Sequence, residues 1–300
     1  MPGSAARALA ALVLALVGCT SVDKEHVDAA LASMTAEGEV ASLDETMFSS
    51  RVAQSGFWDP EEFLEERYAG VWFLEPYDAK RIPVLFVHGI NGTPANFRYL
   101  VANLDRKRFQ AWVYYYPTGL DMNVVADHLE RTMTDLETRY GYRRFAVVAH
   151  SMGGLISRGF VQRHYAASHG AEIPLFVSIS TPWGGHAAAA AAPASLDVLR
   201  DMAPGSDYQK SVLAGALPPG TEHHLVFTFH RKKAWFGESD DQGVSVSSQL
   251  APAAQEHAVR MYGFDDTHMG VLRNPALSRL LNDLLAARFD MDQTGGAHAD

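Results

Sequence analysis

A serine at the junction between an apolar strand and a helix constrains this chain more than any other feature. Residues 145–149 (FAVVA) read as a short buried strand, Ser151 follows directly after His150, and Leu155 and Phe160 indicate a helix. A strand that turns at once into a helix holds the serine in a strained conformation, so its neighbours must be small. The glycines that follow meet that need. The pattern predicts a nucleophilic serine at a strand end; an inert serine in a glycine-rich turn is the alternative.

Apolar runs alternate with helical spacings along the rest of the chain. Such alternation predicts an α/β fold with a mostly parallel central sheet and helices on both faces. In sheets of this kind, ligands bind beyond the carboxyl ends of the strands. The strand candidates are residues 71–74, 82–88, 109–116, 145–149, 173–179, 225–229 and 258–262, and the main helix candidates are residues 93–104, 121–140 and the segment with Leu277, Leu281 and Leu285.

Charge and cysteine content exclude several classes of protein. The net charge of −10 argues against an electrostatic nucleic-acid binder, because neutralising phosphates requires a basic face. The single cysteine, Cys19, excludes an intramolecular disulfide framework and a cysteine-rich zinc site. We therefore expect neither a metal nor a nucleic-acid partner.

The first nineteen residues have the composition of a processing signal. Arg7 is the only charged residue before Cys19, and the apolar run 8–17 is too short to span a membrane comfortably. The segment 16–19 (LVGC) resembles the lipobox of bacterial lipoproteins. That resemblance implies a diacylated Cys19 as the mature N-terminus, anchored to the membrane by its acyl chains, and Thr20 favours the outer membrane of the cell envelope. An ordinary signal peptide or an uncleaved anchor is the alternative.

Two motifs resemble the α/β-hydrolase family, and in particular its lipases and esterases. The sequence around Ser151 (AHSMG) is similar to the family's nucleophile elbow, with Ala149 in place of the usual first glycine. His88 and Gly89, directly after the strand at 82–88, resemble the family's oxyanion loop.

The resemblance implies that the backbone N–H groups of Ile90 and Met152 bind the oxyanion of a tetrahedral intermediate. Loss of one such donor costs on the order of 3–4 kcal/mol. For His88 we expect a structural role in the loop and no proton transfer.

The acid and base are expected later in the chain, because the family order is Ser, then Asp or Glu, then His. His268 follows the last strand candidate and precedes the last helix, where the fold places its base. Residues 238–250 resemble the family's acid loop and align Asp241 with the acid, although Gln242 replaces the usual glycine. A shift of one residue would select Asp240, so both carboxylates stay open at this point.

The sequence divides into a leader, a lead-in, a catalytic domain and a tail. The expected parts are a signal peptide at 1–18, a lipidated tether with lead-in helices at 19–70, a hydrolase domain at 71–289 with a cap insertion at about 184–222, and a flexible tail at 290–300. Long connections of this kind often form lids; a packed helix is the alternative for the cap. Residues 199–206 of the cap are similar to a segment of triacylglycerol-lipase-like and GPI-inositol-deacylase-like hydrolases, and residues 182–185 (PWGG) resemble the lecithin:cholesterol acyltransferase group.

The resemblance implies a serine-dependent carboxylic-ester hydrolase, a lipase or esterase, that uses Ser151, Asp241 and His268 through an acyl-enzyme. Its expected substrate is a lipid or another acyl ester in the envelope. It requires no metal or organic cofactor, and no obligate protein partner is implied. An acyltransferase of the same fold and a catalytically silent binding lipoprotein are the alternatives.

Overall fold

A seven-stranded sheet forms the centre of the molecule. The computed structural model describes residues 24–34, 38–167, 170–191, 196–230 and 240–294, so the signal-peptide and Cys19 predictions fall outside the described residues. The strands are β1 (Gly70–Phe73), β2 (Ile82–Val87), β3 (Phe109–Tyr115), β4 (Arg144–His150), β5 (Glu172–Ile179), β6 (Glu222–Phe229) and β7 (Arg260–Asp265). Their spatial order is β1-β3-β2-β4-β5-β6-β7. β1 pairs antiparallel with β3 and the remaining pairs are parallel, which confirms the mostly parallel sheet.

Helices cover the sheet and join its strands. They are α1 (Lys24–Ser33), α2 (Ser50–Trp58), α3 (Pro60–Glu65), α4 (Arg98–Ala102), α5 (Met122–Tyr140), α6 (Met152–Ala166), α7 (Asp197–Met202), α8 (Asp207–Ala214), α9 (Val246–Gln249), α10 (Pro252–Glu256) and α11 (Pro275–Thr294). Every residue of β3 is buried, which explains why its sequence, apart from Gln110, is apolar and aromatic rather than alternating. The core therefore lies on both sides of the central strands.

The lead-in segment packs on the body of the protein and shares its core. Val27 and Leu31 of α1 are each 2% exposed, and α1 contacts α3 and α5. The Phe63 ring of α3 packs edge-on against Tyr115 of β3, with 4.8 Å between ring centroids. From Lys24 onward the described residues of the lead-in therefore share a core with the hydrolase domain that is predicted from residue 71.

Two helix predictions also differ from the structure at their ends. The expected helix at 93–104 is a 3-10 turn, Pro94–Phe97, followed by the short α4. Thr93 caps it as expected, since its Oγ1 accepts the Ala95 N–H at 3.1 Å. The helix α11 extends to Thr294, so the tail predicted from residue 290 begins inside a helix. The apolar positions of α11 include Phe289, which is 1% exposed and packs in the core.

The described part of the predicted cap forms a packed layer. Val198 and Val212 are 0% and 2% exposed. The Tyr208 hydroxyl donates to the Leu155 carbonyl at 3.1 Å, and Arg158 donates through Nη2 to the Gly215 carbonyl at 2.8 Å. Hydrogen bonds to α6, the helix that follows Ser151, thus hold α8 in place.

Replacing Phe63 with alanine tests whether the lead-in belongs to the domain. We expect Phe63→Ala to lower the free energy of unfolding by about 3–5 kcal/mol, since it removes a buried ring from a shared core. The measurement is chemical denaturation followed by circular dichroism. The exposed Glu65 of the same helix supplies the control, because Glu65→Ala should change stability by less than about 0.5 kcal/mol. An equally small effect of Phe63→Ala would show that the lead-in is dispensable.

Candidate active site

Ser151 occupies a strained turn between β4 and α6. Its backbone has φ 56° and ψ −131°, a conformation that costs a non-glycine residue energy and persists only when its surroundings impose it. The Ser151 N–H donates to the Ile179 carbonyl at 2.8 Å, which fixes the turn against β5. A Cβ on Gly153 would lie 2.4 Å from the carbonyl oxygens of Val87 and His88. Only glycine fits there, as the sequence pattern requires.

Ala149 fits without distortion at the position where a glycine was expected. It lies in β4, is 0% exposed, and pairs in register with Val87 of β2 and Ser178 of β5. The close approaches occur after the serine, where Gly153 and Gly154 stand. This departure from the usual elbow motif therefore leaves the turn intact.

The loop at His88–Gly92 passes directly against Ser151. A Cβ on Gly89 would lie 2.6 Å from the Ser151 Cβ. The Gly89 carbonyl accepts hydrogen bonds from the Gly92 N–H at 3.0 Å and from His88 Nδ1 at 2.9 Å. In a trans peptide the N–H points away from the C=O, so these two bonds fix the direction of the Ile90 N–H.

Two backbone donors remain available beside the serine. No described residue accepts a hydrogen bond from the N–H of Ile90 or of Met152. Met152 is the first residue of α6, where backbone N–H groups have no intrahelical acceptor and the helix dipole favours negative charge. A pair of free N–H groups next to a hydroxyl has the chemistry of an oxyanion hole.

His88 has the contacts of a structural residue. Its ring stacks on Tyr116 at a centroid distance of 4.3 Å, and the Tyr116 hydroxyl donates to the His88 carbonyl at 2.5 Å. Burial lowers the pKa of His88 to about 4, so the ring is neutral near pH 7. The neutral ring can donate from Nδ1 to Gly89, which agrees with the expectation of a loop-fixing role.

The lead-in also reaches the oxyanion loop, which the sequence did not indicate. The Asn91 N–H donates to Thr118 Oγ1 at 3.2 Å, and the next residue, Gly119, donates its N–H to the Gly56 carbonyl of α2 at 3.1 Å. A Cβ on Gly119 would lie 2.2 Å from the Phe57 carbonyl oxygen. The loop after β3 is therefore wedged between α2 and the oxyanion loop.

Asp241 and His268 form a buried hydrogen-bonded pair. His268 Nδ1 lies 2.8 Å from Asp241 Oδ2, and Asp241 is 0% exposed. Burial alone would raise the pKa of Asp241, but the hydrogen bonds that it accepts, first of all from His268, hold that pKa below its ordinary value. Because a carboxylate only accepts, the proton of the neutral imidazole is on Nδ1 and Nε2 is left as a proton acceptor.

Asp240 is directed elsewhere. It is exposed, and its Oδ1 accepts the Gln242 N–H at 2.9 Å. The structure therefore brings Asp241, and not Asp240, to His268. Gln242 itself has φ 75°, a left-handed conformation that explains why glycine is usual at this position in the family.

His150 links the serine turn to the His268 loop, a contact that sequence reasoning missed. Its Nε2 donates to the His268 carbonyl at 2.9 Å, and the two rings lie 4.6 Å apart. Burial lowers the pKa of His150 to about 3, so it acts as a neutral donor. Because His150 is the residue before Ser151, the contact joins the loop of His268 to the serine turn.

Thr228 and Gln249 were also missed by sequence reasoning. Thr228 Oγ1 donates to Asp241 Oδ2 at 2.5 Å, and Gln249 Nε2 donates to the same oxygen at 3.2 Å. Both side chains are 0% exposed. The available signal was a lone hydroxyl near the end of an otherwise apolar strand, in the sequence LVFTF at 225–229.

A second Ser–His pair lies inside the sheet. Ser178 Oγ is 2.8 Å from His223 Nε2, and both residues are 0% exposed. His223 Nδ1 has no hydrogen-bond partner among the described residues, and burial holds the pKa of His223 well below its ordinary value. With no carboxylate on the imidazole and no access for a substrate, this pair is a structural contact between β5 and β6.

The described ranges contain neither a metal-binding cluster nor a membrane-spanning helix. There, no group of three or more His, Cys, Asp or Glu side chains is arranged to hold a metal ion. Within those same ranges, no helix has the length and the apolar character needed to cross a bilayer.

Comparison with known proteins agrees with this geometry. The model of a family described as alpha/beta hydrolase fold matches residues 82–231, a range that contains Ser151 and the oxyanion loop and ends before Asp241. No curated protein matches the chain.

Several solved structures share the fold. The mature form of the Bacillus licheniformis lipase BlEst2 has a TM-score of 0.54 and 18% identity, covering 72% of this chain and 97% of that one. Aspergillus fumigatus lipase B has a TM-score of 0.53 and 15% identity, covering 75% of this chain and 57% of that one. A Listeria innocua protein has a TM-score of 0.52 and 14% identity, covering 68% and 94%. At these identities the likeness shows the fold alone.

Proposed function

The chain belongs to the α/β-hydrolase fold family, and from this premise we propose that it is a serine hydrolase that cleaves carboxylic esters. The observation that carries the proposal is the convergence of three strand ends. The buried Asp241–His268 hydrogen bond at 2.8 Å is joined through His150 to the strained Ser151. A nucleophile needs a base within reach and a carboxylate that orients the base, and we assign these two roles to His268 and Asp241.

In the proposed mechanism Ser151 Oγ attacks the ester carbonyl carbon while His268 Nε2 takes the hydroxyl proton. Asp241 holds the Nδ1–H of the imidazole and stabilises the imidazolium that forms. The carbonyl oxygen becomes an oxyanion, which the N–H groups of Ile90 and Met152 bind. When the C–O bond breaks, His268 returns its proton to the leaving alcohol.

The acyl group then stays on Ser151 as an ester. Water gives a proton to His268 and attacks the acyl carbonyl, and a second tetrahedral intermediate forms in the same oxyanion hole. In its collapse the bond between the acyl carbon and Ser151 Oγ breaks, His268 returns its proton to Oγ, and the carboxylic acid leaves. An alcohol in place of water would give transesterification, so product analysis with a competing alcohol separates a hydrolase from an acyltransferase.

Acyl esters, including lipids, are the proposed substrates. Two of the solved structures that share the fold are described as lipases, which supports this class without specifying the chain length. The cap packs on α6 through Arg158 and Tyr208 and so stands next to the helix that Ser151 begins. That position suits a binding element for the acyl chain.

We further propose that acylated Cys19 anchors the protein to the cell envelope. The support is the sequence at 16–19 together with the position of α1. Residues 20–23 alone separate Cys19 from Lys24, where α1 begins, and such a segment spans at most about 18 Å. Because α1 is packed on the domain, the anchor would hold the catalytic domain close to the bilayer surface.

Replacing the nucleophile tests the proposed function most directly. We expect Ser151→Ala to abolish labelling by a fluorophosphonate and to lower kcat for ester hydrolysis on the order of 10⁴-fold or more, because the covalent step is lost. Activity is measured on an ester series from acetyl to palmitoyl. Ser178→Ala is the matched control, as it removes the other histidine-bonded serine and should keep both labelling and activity. A well-folded wild type that takes no label would refute the proposal.

A pair of neighbouring carboxylates tests the assignment of the acid. We expect Asp241→Asn to lower kcat on the order of 10³- to 10⁴-fold, because an amide facing Nδ1 favours the wrong imidazole tautomer. Asp240→Asn should change kcat no more than a few-fold, since that carboxylate faces solvent. Steady-state kinetics on a short-chain ester, with melting temperatures as the folding check, provide the comparison. The reverse order of effects would transfer the role to Asp240.

The anchor is tested by changing the modified residue. We expect Cys19→Ser to abolish incorporation of labelled palmitate and to release the protein from the membrane fraction, because acyl chains provide the attachment. Hydrolysis of a soluble ester by the released protein should equal that of the wild type. Equal retention of both proteins on membranes after a high-salt wash would count against the anchor.

A further inference from the structure

Asp241 is bound by a second group of side chains on the side away from its loop. Three polar residues, each 0% exposed, connect there: Ser180, Thr228 and Gln249. Ser180 Oγ lies 2.7 Å from Thr228 Oγ1, and Thr228 Oγ1 lies 2.5 Å from Asp241 Oδ2. Gln249 Nε2 reaches the same carboxylate oxygen at 3.2 Å. The oxygen that bonds His268 therefore has two further donors.

The direction of each hydrogen bond follows from the partners. The Asp241 carboxylate only accepts, so Thr228 must use its single hydroxyl proton there. Thr228 Oγ1 can then only accept from Ser180, which makes Ser180 the donor. The result is a one-way chain of dipoles, from the Ser180 hydroxyl through the Thr228 hydroxyl to the carboxylate.

The Gln249 amide has a fixed orientation. Its Oε1 accepts the Thr228 N–H at 2.8 Å, a contact that an NH₂ group could not make. Its two Nε2 protons are shared among three acceptors, namely the Thr228 carbonyl at 3.0 Å, the Val244 carbonyl at 3.1 Å and Asp241 Oδ2 at 3.2 Å. The amide thus clamps the end of β6 to the acid loop and presents an N–H to Asp241.

We propose that the Ser180–Thr228 hydroxyl pair and the Gln249 amide form a second arm on Asp241 that shares its negative charge with His268 and so sets the pH range of catalysis. This inference rests on the proposed function. Thr228 is a positioning residue in this scheme, because it touches Asp241 and no reacting atom. Charge-assisted hydrogen bonds from a hydroxyl are strong in a buried site, so the arm competes with the imidazolium for the same oxygen.

The sign of the effect follows from the dipoles. The positive end of the Thr228 O–H is directed at Asp241 and, beyond it, at the imidazole, so it disfavours a positive charge on His268. Removing the hydroxyl concentrates the carboxylate charge on the His268 side and stabilises the imidazolium. The acidic limb of the kcat/KM profile should then move to higher pH, because a protonated base cannot accept the Ser151 proton.

Other titratable groups lie around Asp241 and His268, and they are the same in the wild type and in variants of the arm. His150 contacts His268 from the serine turn, and His186 donates to the Gly243 carbonyl at 2.9 Å from the loop after β5. Asp240 and Asp266 belong to the acid and base loops themselves. None of them is altered by a substitution in the arm.

The test compares the acidic limb and the NMR titration of His268 in wild type and variants. We expect Thr228→Val to raise the apparent pKa in both by roughly 0.5–1 unit, Ser180→Ala to raise it by less, and Thr228→Ser to restore it. Thr132→Val is the matched control, since it removes another buried threonine hydroxyl, bonded to the His128 carbonyl at 2.8 Å on α5, and should leave the titration unchanged.

Each outcome decides one claim. An unchanged pKa of His268 in Thr228→Val, with or without a loss of kcat, would overturn the charge-sharing role and leave a structural one. If Thr228→Val does not fold, Ser180→Ala carries the test, and an unchanged titration in it has the same meaning. If the NMR titration of His268 moves as expected in Thr228→Val but the wild type hydrolyses no ester, the arm is supported and the proposed function is overturned instead.

Discussion

A buried carboxylate is the constraint on which the rest of the site depends. An unpaired charge at the position of Asp241, which is 0% exposed, would cost far more than a domain can tolerate. The protein provides donors for both oxygens: the N–H groups of Gly243 and Val244 at Oδ1, and the side chains of His268, Thr228 and Gln249 at Oδ2. Five donors allow a charge to persist in the core, and they fix its position.

That fixed charge determines where the base lies. Besides the side-chain bond, the His268 N–H donates to the Asp241 carbonyl at 2.8 Å, so the acid loop holds both the backbone and the ring of the base. On the other side His150 holds the His268 carbonyl. The loop after β7 is therefore clamped between the loop after β6 and the turn after β4. Because β4 to β7 are consecutive neighbours in the sheet, side chains distant in sequence meet at one edge.

The sequence predicted those parts of the molecule whose physical requirement is local. A glycine at 153 is required by a 2.4 Å approach of two carbonyl oxygens, and buried parallel strands are largely apolar. The serine motif and the positions of the strands along the chain could therefore be inferred from residues alone. The choice between Asp240 and Asp241 could not be made from residues alone, because a shift of one residue in the loop decides which carboxylate points to the interior. Contacts such as Thr228 to Asp241 or Gly119 to Gly56 join residues that become neighbours only after the sheet has formed. The packing of Val27 and Leu31 could not be predicted for the same reason, since their helix contacts α3 and α5, which lie later in the chain.

Different physical constraints hold the two sides of the site, the oxyanion side and the acid side, and these constraints determine which substitutions each side tolerates. On the oxyanion side the constraint is close backbone approach, at Gly89, Gly119 and Gly153, where any side chain collides with a neighbouring atom. On the acid side the constraint is hydrogen-bond satisfaction, which other polar residues could meet with a different strength and so with a different basicity of His268. Substitution of a glycine on the oxyanion side destroys the site, whereas substitution of a polar residue on the acid side changes the pH range of catalysis. The arm of Ser180, Thr228 and Gln249 is thus a place where this fold can adjust activity without rebuilding the nucleophile turn.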